Sequence, residues 1–118
     1  MSASGRPIDL DHLDRYTGGD RALNAEILAL FDGQCRDMMA RLEALASGPG
    51  DTKAWRDIAH TLKGAARGIG AFALGDAAAE AEQQATSDGP AALAALERLK
   101  RESAETAAFI AKILEDRH

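Results

Sequence analysis

The run Ala59-His60-Thr61-Leu62-Lys63-Gly64-Ala65-Ala66-Arg67-Gly68-Ile69-Gly70-Ala71 divides its residues between two faces of a helix. At about 100° per residue, Leu62, Ala65 and Ile69 continue an apolar stripe begun by Trp55, Ile58 and Ala59, while His60 lies nearly opposite and points to solvent. The spacing predicts a helix from Asp51 that stops at the turn signal Gly68-Ile69-Gly70. A second helix is expected from about Ala71 to Ser87, and the small residues of its inner face, Leu74, Ala77, Ala78, Ala81 and Ala85, permit close approach. A turn this short makes the two helices antiparallel neighbours.

The same reading extends outward. Further turn signals stand at Thr17-Gly18-Gly19, Ser47-Gly48-Pro49-Gly50 and Ser87-Asp88-Gly89-Pro90. A short opening helix, Asp9 to Tyr16, takes Asp9 as N-cap and buries Leu10 and Leu13. A long helix from Asp20 to Ala46 carries Leu23, Ile27, Leu30, Phe31, Met38, Leu42 and Leu45 on its apolar stripe. The last helix opens at Pro90 and turns Leu93, Leu96, Leu99, Thr106, Ile110 and Ile113 inward. At 1.5 Å per residue the two long helices span roughly 40 Å and the middle two roughly 25 to 30 Å. The expected fold is all-α: an antiparallel up-and-down four-helix bundle with a short N-terminal helix, one domain over residues 1–118, with 1–8 as a flexible tail.

Composition narrows the function. At 118 residues the chain holds one core. Valine is absent, aromatics are 4%, and alanine is the commonest residue, as suits helices rather than strands. A net charge of -5 disfavours non-specific nucleic-acid binding. No apolar run is long enough to cross a bilayer, and the first residues lack a signal-peptide pattern, so a cytoplasmic place is expected. Cys35 is the only cysteine, which excludes an internal disulfide and a thiolate zinc cluster, and it reads as a packed small residue.

Against that acidic background, Lys53, Arg56, Lys63, Gly64 and Arg67 fall within about 60° of His60 on the outer face, with Asp57 as the one acid. Gly64 is costly there, because a glycine inside a helix loses about 1 kcal/mol relative to alanine. Its bare position would let a partner or a phosphoryl group approach the imidazole one turn away. Antiparallel pairing about a turn centred near Ala71 sets Glu82 level with His60, eleven residues from the centre on each side. A carboxylate at that position can accept from His60 Nδ1–H and leave Nε2 as the nucleophile. The plainer alternatives are a solubilising Glu82, a solvated basic face, and Gln83 or Gln84 as the neighbour of the histidine.

The run His60-Thr61-Leu62-Lys63-Gly64 with Ile69-Gly70-Ala71 resembles the motif of histidine-containing phosphotransfer domains, the phosphohistidine relays of two-component signalling. Asp9-Leu10, Leu13, Tyr16, Gly19-Asp20 and Glu26-Ile27-Leu28 resemble the opening segment of that family, so the likeness spans nearly the whole chain. It implies that His60 accepts phosphate, Lys63 assists and Gly64 gives access, with Glu82 where relatives carry Gln or Glu. The chain departs from the pattern at Ala65, Ala66 and Arg67, which bears on partner choice. The resemblance also implies receiver domains of a hybrid histidine kinase and of a response regulator as partners, with Mg²⁺ in the receiver and no cofactor on this chain. A monomeric phosphocarrier, not an independent enzyme, is the expectation, with Lys53, Arg56 and Arg67 meeting the partner. The rival is a helical adaptor that binds signalling proteins without phosphotransfer. A metal-dependent hydrolase using His60 and Glu82 is a more distant one, since no His-Glu-x-x-His pattern is present.

Overall fold

The computed structural model describes residues 6–48, 51–84 and 89–116. Five helices follow in chain order: α1 (Leu10–Thr17), α2 (Arg21–Ser47), α3 (Thr52–Ile69), α4 (Phe72–Gln83) and α5 (Gly89–Asp116). No strand occurs among the described residues. Each of α2 to α5 packs on its two neighbours in the order α2, α3, α4, α5 and back to α2, which closes the four-helix bundle, while α1 lies against α2 and α3.

Aspartates set the helix starts. Asp9 accepts from the backbone N–H groups of Asp11 and His12, Asp20 from Leu23 and Asp51 from Ala54, each satisfying donors that a first turn leaves free. Glycine sets two of the ends: Gly18 and Gly70 adopt left-handed φ of 67° and 90°. At Gly70 the need is double, because a Cβ would also stand 2.5 Å from the Asp9 carbonyl oxygen. The Asp9 N–H donates to Gly70 O at 2.8 Å, fastening the opening segment to the α3–α4 turn.

The core runs through Leu28, Leu42, Trp55, Leu62, Leu74, Leu99 and Ile110, all essentially without exposure. Trp55 Nε1 donates to Ala81 O at 2.7 Å, so the largest core side chain also joins α3 to α4.

Several expectations need correction. Leu23, Leu30 and Leu93 are exposed, at 39, 64 and 55%. On α2 the inner stripe is Ala25, Leu28, Phe31, Cys35, Met38, Met39 and Leu42, and Leu30 lies roughly 200° around the axis from Leu28. Helix α1 fixes that rotation: Asn24 accepts from Thr17 Oγ1 at 2.5 Å and donates to Asp14 at 2.8 Å. Ala66, not Ala65, is fully buried on α3. Gly68 lies inside α3, which continues to Ile69. Helix α4 ends at Gln83, because Gln84 is extended, so it is shorter than the expected helix. Ile8, placed in the tail by the sequence reading, is buried in the core. Ala85, Ser87 and His118 lie outside the described residues.

Candidate functional site

His60 stands on the outer face of α3, its side chain 66% exposed. Its Nδ1 lies 2.8 Å from Glu82 Oε2, across the seam between α3 and α4. Lys63, on the next turn of α3, donates to the other oxygen, Oε1, at 2.7 Å. One carboxylate thus holds an imidazole and an ammonium together. It is reached because Gly70 reverses the chain so that positions eleven residues either side of Ala71 face each other.

The electrostatics follow from this geometry. The hydrogen bond from Lys63, and then that from His60, hold the Glu82 carboxyl below its ordinary value. A nitrogen facing an ionised carboxylate acts as the donor, so this contact favours the tautomer in which Nδ1 carries the proton and Nε2 has the lone pair. A cation on Oε1 also makes Glu82 a poor candidate for holding a metal ion.

A Cβ placed on Gly64 would meet no atom within 4 Å, and the same holds at Gly68 one turn further. The helix surface beside His60 is therefore open at two positions one turn apart. The sequence reading used only the first of these glycines, having assigned the second to a turn.

The basic strip is less basic than α3 alone suggests. Lys53 is tied to Asp57 at 2.8 Å, and Arg67 donates to Asp76 of α4 at 3.3 Å. Together with the Lys63–Glu82 pair, three of the four cations have an acidic partner, two of them supplied by α4. Arg56 is exposed and makes no ion pair among the described residues. Gln83 is exposed and Gln84 lies past the helix end, while it is Glu82 that meets His60. His12 stands apart, edge-on to the rings of Tyr16 and Phe72.

The family model for the Hpt domain matches residues 26–109, most of the chain and all of the site. The chain belongs to the Hpt domain family. Hpt domains act as phosphotransfer modules in two-component phosphorelays and interact with receiver domains. The matched stretch begins within α2, leaving α1 and its clamp on Gly70 outside it. Neither the curated proteins nor the solved structures include a match to this Hpt domain.

Proposed function

We propose that this Hpt domain is a histidine phosphocarrier between the receiver domain of a hybrid histidine kinase and that of a response regulator, with His60 as the phosphate acceptor. The observation that carries this reading is the imidazole fixed by Glu82 at one nitrogen and open to solvent at the other, beside bare Gly64.

In the forward step His60 Nε2 attacks the phosphorus of a receiver's phosphoaspartate. The N–P bond forms as the acyl O–P bond breaks, and the aspartate carboxylate departs with the electron pair. Nδ1 keeps its proton, so the ring becomes cationic, and the Glu82 carboxylate opposite Nδ1 offsets that charge. Lys63 is one rotation from the equatorial phosphoryl oxygens, where a cation stabilises the charge spread over them. The remaining catalysis, with Mg²⁺, belongs to the partner receiver. This chain is a carrier with no cofactor of its own in this reading, works as a monomer in the cytoplasm, and meets the receiver with Lys53, Arg56 and Arg67.

The test is incubation with a receiver domain loaded from acetyl phosphate, followed by mass spectrometry. Phosphate is expected on His60 alone, as an acid-labile, base-stable phosphoramidate, and His60→Gln should abolish it. Modification of His12 or His118 with His60 untouched overturns the assignment. An adaptor would keep its function in the His60→Gln variant.

A further inference from the structure

Arg67 and Gly75 repeat, four residues either side of Ala71, the level pairing that His60 and Glu82 make at eleven. The stem of Arg67 crosses the backbone of α4 at Gly75: a Cβ there would meet Arg67 Cγ at 2.7 Å and Nε at 3.3 Å. The guanidinium reaches Asp76, and the Arg67 side chain remains 46% exposed. Gly75 is buried in an alanine-rich helix and lacks a positive φ, so the helix itself does not require glycine there. The crossing arginine does.

An arginine on a helix surface ordinarily samples many rotamers, and ordering it on binding costs affinity. Here the stem lies in a glycine notch and one donor of the fork is spent on Asp76, which holds the guanidinium of this half-exposed side chain near one place with further donors to offer. Seven residues of α3 set that place on the order of 10 Å along the axis from His60. Between the two lies Gly64, and Gly68 follows just past Arg67; a Cβ at either glycine would meet open space, which leaves room for a partner to touch both ends at once.

We propose that Gly75 and Asp76 are positioning residues that hold Arg67 as a second anchor for the receiver domain, fitted to a surface carboxylate on the order of 10 Å from its phosphoaspartate. The inference rests on the phosphocarrier reading and adds a geometric filter to it: a receiver without a carboxylate at that spacing engages His60 weakly. Lys53 has no such seat: its ion pair among the described residues is with Asp57 of its own helix.

The parent is first treated with phosphoramidate, a small donor that needs no docking; its phosphoryl group passes to Nε2 as the P–N bond breaks and ammonia leaves. Failure of the parent to gain phosphate on His60 from this donor and from every loaded receiver tried overturns the phosphocarrier reading itself. With that step passed, the receiver giving fastest transfer is loaded with acetyl phosphate and used to obtain KM and the saturated rate for Gly75→Ala, Arg67→Ala and the double variant. Gly75→Ala and Arg67→Ala should each raise KM about tenfold with the saturated rate kept, and Gly75→Ala should add less than about twofold in the Arg67→Ala background. Parent-like KM in both single variants, or effects that multiply in the double variant, overturns the proposal while leaving the carrier function standing. If Gly75→Ala does not fold, Asp76→Ala and Arg67→Lys decide it: both should raise KM, and an unchanged KM in both is equally fatal.

Discussion

The α3–α4 seam and the α2–α5 seam lie on opposite sides of the bundle, and both are crossed by ion pairs, yet only one is built for chemistry. Between α2 and α5 a groove lined by Phe31, Cys35, Met39, Ala104 and Ile110 is bridged by Lys100 and Glu43 at 3.0 Å. That pair joins one cation to one acid and orients nothing else. Between α3 and α4 a single carboxylate engages two different side chains, one of which is an imidazole largely exposed to solvent. The exposed imidazole sits on the outer face of α3, on the other side of the bundle from the α2–α5 groove. A group that must enter another protein's active site is better placed on a convex helix face than in a groove.

The contrast breaks most visibly by adding the same side chain to each seam. Gly64→Gln should keep the bundle folded, since it removes the entropic cost of a helical glycine, yet it should slow transfer from a loaded receiver about 100-fold or more by holding the phosphoryl group off the imidazole. Ala104→Gln on α5 should leave transfer within about twofold of the parent. Equal rates for the Gly64→Gln variant and the parent in single-turnover transfer would remove the steric argument.

A smaller effect probes the shared carboxylate. Lys63→Ala should lower the saturated transfer rate about tenfold with affinity little changed, because it removes a cation that acts on the phosphoryl group after docking. Glu82 gives the pH signature. Its folded pKa is depressed, first by Lys63 and then by His60, so its contribution to order is complete above the ordinary value of 4.5 and is lost only as pH falls through the lower folded value. Carboxyl-carbon NMR of Glu82 should show a midpoint below 4.5, moving back toward it in Lys63→Ala. An unmoved midpoint would mean that the Lys63 bond does not hold in solution.

Smaller again is the effect of surface charge. Replacing Arg56, the cation of the strip with no ion pair among the described residues, by glutamate should weaken receiver binding several-fold and flatten its salt dependence, since part of the screened attraction is gone. Titration at two ionic strengths reads both. A lowered saturated rate with unchanged affinity would place Arg56 in the chemistry instead.

What the sequence disclosed and what it hid have the same physical division. Caps, glycine turns and the antiparallel register are local or nearly so, and the register alone located Glu82 beside His60. The inner face of α2 was misread at Leu23 and Leu30 because leucine occupies several of its faces, and the contacts of Asn24 with α1 set the rotation. The charge of the site was overestimated because one helix was counted by itself, whereas Glu82 and Asp76 come from the helix facing it. Gly75 gave no signal in a run of small residues; only the path of Arg67 across α4 explains it.

The smallest effect belongs to the opposite seam, where Cys35 tests whether burial without chemistry is all that groove contains. Its thiol is buried, and desolvation, followed by the charge of Asp32, pushes its pKa up to about 11. A thiol with that value stays protonated at neutral pH and reacts slowly, since the thiolate is the nucleophile. Iodoacetamide at pH 8 should therefore label the folded protein far more slowly than the denaturant-unfolded one. Because the folded value is raised above the ordinary 9.0, the stabilisation it represents is complete below 9.0 and is lost as pH rises through about 11. Cys35→Ala should cost about 1 kcal/mol through the lost packing of one buried sulfur. The difference from the parent should narrow as pH climbs above 9.0, and phosphotransfer should not change at all. A Cys35→Ala variant with altered transfer would show that the two seams are coupled through the core, and the separation of groove from chemistry would fail.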